Sequence, residues 1–236
     1  ENLLKQEVRE PSLYNAIISA IATGASKLSE ISTKVGENSS TCTAYLKNLI
    51  SLGLVRRETP YGEKNSKKTI YTVEDNMFRF WYRIIPDNAS LIVRGASDLA
   101  YQRIRPQLSD YMGKIFEDIC TQYLWQLLLN GKSPVFFKEL GRWWGTDPAT
   151  HAQTEIDIMG EQDKNTALFC ECKWTNDLVD SGVLELLVHR SQLFHYNSTH
   201  LFLFSKNGFT SGCTEMAEKL GNVTLVSYSD IYGSCQ

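Results

Sequence analysis

Thr154-Glu-Ile-Asp-Ile-Met-Gly160, then a polar turn, then Ala167-Leu-Phe-Cys-Glu-Cys-Lys-Trp174 are the runs whose reading decides the fold. Both alternate with the two-residue period of β-strands, and Gly160-Glu-Gln-Asp-Lys-Asn165 supplies the turn formers between them. On the first arm Glu155, Asp157 and Met159 share one face, and Thr154, Ile156 and Ile158 the other; on the second, Phe169, Glu171 and Lys173 share a face. If the arms pair with their charged faces together, Asp157, Glu171 and Lys173 meet at one end of a sheet. Two carboxylates are donors for a hard cation such as Mg²⁺ or Mn²⁺, which keeps several waters and takes phosphate oxygens as further ligands. An ammonium beside them orients the attacking water or stabilises charge in the transition state. The chemistry this points to is phosphodiester hydrolysis.

Asp157, followed after the hairpin by Glu171-Cys172-Lys173, resembles the D…ExK core of the PD-(D/E)XK nuclease superfamily. Gly113-Lys-Ile-Phe116-Glu117 is similar to the Gly-x-x-Phe-Glu of the first core helix in many members, and Gln192-x-x-x-Tyr196 to the Q-x-x-x-Y helix motif of some. Ile156 stands where the superfamily commonly has a proline, a residue that is not a metal ligand. More closely, Glu155-Ile-Asp-Ile158, Glu171-Cys-Lys-Trp174 and Leu203-Phe-Ser-Lys-Asn-Gly-Phe209 look like the C-terminal region of a prokaryotic, archaeal-type P-loop ATPase family. There an ATPase module is followed by a winged helix and a nuclease-like domain of unknown function. The resemblance covers nearly the whole chain. It implies metal ligation by Asp157, Glu171 and the Cys172 carbonyl, with Lys173, Glu117 and Gln192 assisting, DNA as a partner, and an ATPase upstream in the full-length chain. Read without the resemblance, Glu117 is an exposed helix carboxylate and Gln192 a surface amide.

With 236 residues, 42% hydrophobic and 22% charged, the chain is an ordinary globular protein of one or two domains, large enough to bury a sizeable core. No apolar run approaches a membrane span and no signal pattern opens the sequence, so a cytoplasmic protein with no membrane partner is expected. Glu1 in place of an initiator Met is read as a piece of a longer chain or a processed tag. The absence of G-x-x-x-x-G-K-[ST] means no P-loop ATP site in this stretch. Six cysteines, Cys42, Cys120, Cys170, Cys172, Cys213 and Cys235, lack the spacing of a zinc site or a disulfide framework, which fits reduced thiols. His151, His189, His195 and His200 form no H-E-x-x-H or comparable cluster.

Three parts are expected: residues 1–75, 76–107 and 108–236. In the first, apolar spacing predicts helices over Ser12–Thr23 and Lys27–Val35 and a third that the Gly36–Thr41 segment caps, with its apolar stripe at Tyr45, Leu46, Leu49, Ile50 and Leu52 and its end at Gly53, then strands at Leu54–Glu58 and Thr69–Val73 around a basic turn: a winged helix-turn-helix. Such modules place the third helix in the DNA groove and the wing on the backbone, which makes Lys47, Arg56, Arg57, Lys64, Lys67 and Lys68 the candidate nucleic-acid contacts. Residues 1–75 hold ten Lys and Arg against nine Asp and Glu, and residues 76–236 fourteen against eighteen. With so little net positive charge, binding to DNA through this part alone is expected to be weak, and docking to protein is an equal reading.

The middle part is expected as an aromatic helix, Asn76–Ile85, broken by Pro86, and a second over Ser97–Arg105, stopped by Pro106. The last part reads as a helix Ser109–Leu129, strands near Gly141–Gly145 and along the two runs above, a helix Asp180–Tyr196, strand His200–Phe204, helix Cys213–Leu220 and strand Val223–Val226. That order, αβββαβαβ with a mixed sheet between helices, is a restriction-endonuclease-like α/β core, α+β overall with the N-terminal part included.

Overall fold

The computed structural model describes residues 11–63 and 67–233. Two compact units divide them, one of 11–59 with 67–106 and one of 60–63 with 107–233. Two of the residues singled out above, Lys64 and Cys235, lie outside the described residues.

In the first unit, Pro11 opens α1 (Pro11–Ala22), its fixed φ suiting a first helical turn. Gly36, at φ 80, ends α2 (Leu28–Val35) in the left-handed conformation a glycine takes without strain. The Asn38 side chain accepts the Thr41 N–H and caps α3 (Ser39–Ser51). The antiparallel ribbon β1 (Val55–Glu58) and β2 (Ile70–Val73) follows, in register from Val55↔Val73 to Glu58↔Ile70. Ile17, Ile18, Ile31, Leu46, Leu49 and Val55 form the core, with Phe78 and Tyr82 packed against it from the helix that follows.

Helix α4 (Asn76–Val93) runs through Pro86, where a break was expected. A proline withdraws one N–H from the ladder, and the buried Asn88 side chain adds a bond inside the same turn, donating to the Ile84 carbonyl at 2.8 Å. Helix α5 (Ser97–Leu129) likewise passes Pro106 as a single element where two were expected. Gln102, whose carbonyl would have taken the missing bond, is exposed, so water can serve it.

The second unit is built on a five-stranded sheet in spatial order β3 (Gly141–Thr146), β4 (Gln153–Glu161), β5 (Thr166–Lys173), β6 (Ser198–Ser205), β7 (Val223–Ser227). The first three strands pair antiparallel and the last three parallel, so the sheet is mixed. Phe116, Cys120 and Leu124 of α5 cover one face with Leu168, Cys170, Phe202 and Phe204. On the other face α6 (Ser181–Ser191) and α7 (Ser211–Leu220) bring Leu184, Leu187 and Cys213 against Phe169, Leu201 and Leu203. A short α8 (Tyr228–Gly233), which the sequence reading did not include, closes the described chain. Residues 60–63 lie along the outer strand: Tyr61 donates its N–H to the Arg142 carbonyl at 2.7 Å, and its hydroxyl accepts the Glu161 N–H at 3.1 Å.

Strand β4 departs from strict alternation. Gly141 pairs with Met159 and Trp143 with Ile156, so Arg142 alone faces Asp157 and Ile158 together. This is a β-bulge, an extra residue that turns the strand and re-aims a side chain. Its consequence corrects the expected faces. Ile156 and Met159 both pack on the α6–α7 side, and Ile158 packs on the α5 side.

Candidate active site

The bulge places Asp157 where β4 leaves β5. The antiparallel register ends at Ile158↔Cys170, and two residues further on the Cys172 N–H donates to Asp157 Oδ2 at 2.8 Å. Because a strand residue carries its N–H and C=O on the same edge, the Cys172 carbonyl faces this opening too. Glu171 and Lys173 alternate onto the α6–α7 face with Phe169, as the sequence predicts.

Glu171 is 3% and Asp157 7% exposed. Such burial of carboxylates is rare unless charge or hydrogen bonds compensate it. Glu171 Oε1 takes a hydrogen bond from Lys173 Nζ at 2.6 Å, and Oε2 takes one from an Arg190 guanidinium nitrogen at 2.7 Å. Glu117 of α5 acts on Asp157 through its charge and bonds Lys114 at 2.8 Å, the i,i+3 neighbour on its helix. Arg142 of β3 reaches Glu155 at 2.6 Å and approaches Glu117 at 4.0 Å. Four carboxylates and four cations are thus gathered around the bulge.

The electrostatics single out Asp157. Burial, then the charges of Glu171 and Glu117, push its carboxyl up to about 7 against the pull of the Cys172 N–H. Burial also raises Glu117, opposed by Lys114 and Arg142. Burial works against the charge on Lys173, but Glu171 and Asp157 outweigh it and raise the ammonium above its ordinary value. Glu155 is pushed up by burial and brought below the usual carboxylate range by Arg142 and Lys114. Four cations thus stand against four carboxylates, yet burial and the neighbouring carboxylates leave Asp157 holding a proton up to neutrality.

The donor set fits a hard divalent cation. Among the described residues no three His, Cys, Asp or Glu side chains form a ready-made cage. The oxygens available are Asp157, Glu171 and the Cys172 carbonyl, with water for the rest, which is how Mg²⁺ is commonly held. Sulfur takes no part: burial raises Cys170 and Cys172 well above the ordinary thiol value, and both thiols pack with Cys120 under the sheet.

The structure brings Glu117, Asp157, Glu171, Cys172 and Lys173 together and leaves Gln192 apart. Helix α6 ends at Ser191, so the segment through Tyr196 expected as helix is a turn, and Gln192 caps the helix. Two residues is about 200° of helical rotation; Arg190 meets Glu171, whereas the exposed Gln192 lines a cleft of about 530 Å³ with His195, Thr199 and Asn222 beside the start of β6. Arg190 and Lys114 are the site residues sequence reasoning missed. Lys114 was signalled by its helical spacing from Glu117. Nothing in the pattern distinguished Arg190 from any other charge in a last helical turn. His189 adds a tie at the same helix end, bonding the Asp147 carboxylate at 2.7 Å and holding Asp147 down to about 2.

Of the nucleic-acid candidates, Lys47 is exposed on α3, and Lys67 and Lys68 are exposed before β2. Arg56 is engaged by Glu58 at 2.9 Å and Glu74 at 3.6 Å, and Arg57 donates to Thr69 at 3.3 Å. Among the described residues no helix is long and apolar enough to cross a membrane.

A family model described as archaea bacterial proteins of unknown function (DUF234) matches residues 81–185, a span that holds Glu117, Asp157, Glu171 and Lys173 and ends before Arg190. The uncharacterized protein MJECL04 of Methanocaldococcus jannaschii is 38% identical over 186 residues, covering 78% of this chain and 40% of the relative's own length. The chain thus spans about 40% of that relative. Among solved structures, an O-methyltransferase (NcsB1) from neocarzinostatin biosynthesis, in complex with S-adenosyl-L-homocysteine, is similar at 13% identity over 92% of this chain and 64% of that one, with a TM-score of 0.24. A likeness at that level carries no argument. The matches relate the chain to archaeal and bacterial proteins of unknown function.

Proposed function

We propose that the second unit is a divalent-metal-dependent nuclease hydrolysing DNA phosphodiesters, carried in one chain with a winged helix formed by α1–α3, β1 and β2. The resemblance to P-loop ATPases extends the proposal to an ATPase module in the longer protein that drives or gates the unit. The observation that carries the reading is the burial of Asp157 beside Glu171 and Glu117 at the bulge. Like charges in a low-dielectric site are costly, and a cation with phosphate ligands offsets that cost.

When bound, Mg²⁺ or Mn²⁺ supplies Lewis acidity toward a phosphoryl oxygen and an acidified water. Asp157, Glu171 and the Cys172 carbonyl hold it. Lys173, kept charged by Glu171, directs its N–H bonds to the attacking water or to the oxygens that gain charge. Glu117 assists from α5 by holding water at the edge of the site. One feature favours a second reading, a non-catalytic DNA-binding or docking module: both oxygens of Glu171 are already paired, as in a purely structural ion cluster.

Cleavage of supercoiled, linear and single-stranded DNA, and of RNA, with Mg²⁺ or Mn²⁺ separates the two. The nuclease predicts metal-dependent DNA cutting that Asp157→Asn and Lys173→Ala both lose. No cutting by the full-length protein with ATP and metal leaves the docking module.

A further inference from the structure

Arg190 is a cation of the second unit whose hydrogen-bonding capacity is little used. Its side chain is 14% exposed, and of the five N–H donors a guanidinium carries, one is engaged, on Glu171 Oε2 at 2.7 Å. Its Nε is buried with no hydrogen-bond partner. A buried N–H without a partner is costly, and the natural complement of the planar fork is a carboxylate or phosphate taken at two points. The one carboxylate it reaches is shared. Lys173, which is 33% exposed, holds the other oxygen of Glu171, so a metal ion that comes to Glu171 meets two cations already on its oxygens, and their repulsion favours the departure of one.

Resting on the nuclease reading, we infer that Arg190 is a relay cation. It neutralises Glu171 while the carboxylates lack a divalent ion and passes to a phosphate oxygen of the substrate when Glu171 turns to the ion. The site then exchanges one anion partner of Arg190 for another, and its free donors find acceptors in the phosphate. Metal and phosphate binding are coupled as a result: the phosphate takes up the cation that the metal displaces, and each ligand strengthens the other by the same factor. A site without phosphate keeps Arg190 on Glu171 and holds metal weakly. This makes Arg190 a positioning residue that suppresses futile metal loading and favours the metal–substrate complex.

The test is calorimetric Mn²⁺ binding at pH 8, with and without thymidine 5′-monophosphate, to the wild type, Arg190→Gln and Arg190→Lys, with thermal melting as the check on folding. The expected wild type binds Mn²⁺ at least threefold tighter with the nucleotide present. Arg190→Gln, relieved of the competitor, binds Mn²⁺ alone at least threefold tighter than wild type and loses the nucleotide effect. Arg190→Lys keeps the charge and hence the weak binding of Mn²⁺ alone, with a reduced nucleotide effect. Unchanged or weaker Mn²⁺ binding by Arg190→Gln, with the nucleotide effect intact, overturns the relay and leaves the metal site standing. If Arg190→Gln does not fold, a nucleotide effect equal in Arg190→Lys and wild type overturns it. Absence of Mn²⁺ binding in every protein overturns both the relay and the nuclease reading.

Discussion

Two places in the second unit invite a ligand, and they are built in opposite ways. The cleft beside the start of β6 has the volume, about 530 Å³, and is lined by amides, hydroxyls, an imidazole and apolar groups, with no Asp, Glu, Lys or Arg. The bulge of β4 crowds four carboxylates and four cations around two residues that are almost wholly buried. Concavity marks the first, and buried charge marks the second. For phosphate chemistry the second is the stronger indicator, since reactions of phosphodiesters depend on placed charge more than on enclosed volume. The motif residues divide the same way, with Asp157, Glu171 and Lys173 at the bulge and Gln192 at the cleft.

The largest expected difference between the two places is kinetic. Lys173→Ala lowers the DNA cleavage rate by roughly 10²–10³, the loss typical of removing one stabiliser of transition-state charge, in a metal-dependent nicking assay; an unchanged rate removes Lys173 from the mechanism. Next comes a stability effect of unusual sign at Asp157. Its folded value, about 7, lies above the unfolded 3.8, so the folded state keeps a proton that the unfolded chain has lost between these values. Stability therefore falls as pH rises from about 4 to about 7, and above that range the full penalty is present, on the order of 4 kcal/mol as an upper bound. Asp157→Asn removes the penalty and still accepts the Cys172 N–H. It is expected to melt higher than wild type at pH 8 and at nearly the same temperature at pH 4, while losing cleavage. A lower melting temperature at pH 8 contradicts the assignment of buried charge.

A smaller effect concerns metal loading. Protons and metal compete for Asp157, so Mn²⁺ affinity is expected to fall by up to tenfold per pH unit below about 7, and a titration that is flat in pH between 5 and 7 argues against Asp157 as a ligand. The smallest effect is the control at the cleft. Gln192→Ala is expected to leave cleavage within about twofold, because its side chain makes no bond to Glu171 or Lys173 and lies beyond the end of α6. A large loss there would show that the cleft, and not the bulge alone, serves the reaction.

Much of this architecture is legible in the residues. The alternation of Phe169, Glu171 and Lys173 fixes their common face, the apolar run Leu201–Phe204 reads as a strand buried on both sides, and the order of helices and strands follows from periodicity. What alternation hides is its own interruption. The extra residue at Asp157–Ile158 is a property of pairing with Arg142 across β3, and nothing local in Ile-Asp-Ile-Met announces it. The prolines misled for a related reason: Pro86 and Pro106 each cost a helix one bond, and each helix runs on past its proline. The helix expected through Tyr196 stops at Ser191, and helix ends are where boundaries are least determined by sequence; Arg190, about 200° round the helix from Gln192, is the residue in contact with Glu171.

The buried carboxylates at the bulge are proposed to hold a divalent cation through Asp157. Calorimetric titration with Mn²⁺ at pH 6, repeated in buffers of different ionisation enthalpy, tests it most directly on wild type and Asp157→Asn. Wild type is expected to bind Mn²⁺ and to release a proton as it does so, because Asp157 is mostly protonated one unit below about 7, and Asp157→Asn is expected to lose both the binding and the proton release. Binding without proton release, or equal binding by Asp157→Asn, would contradict it.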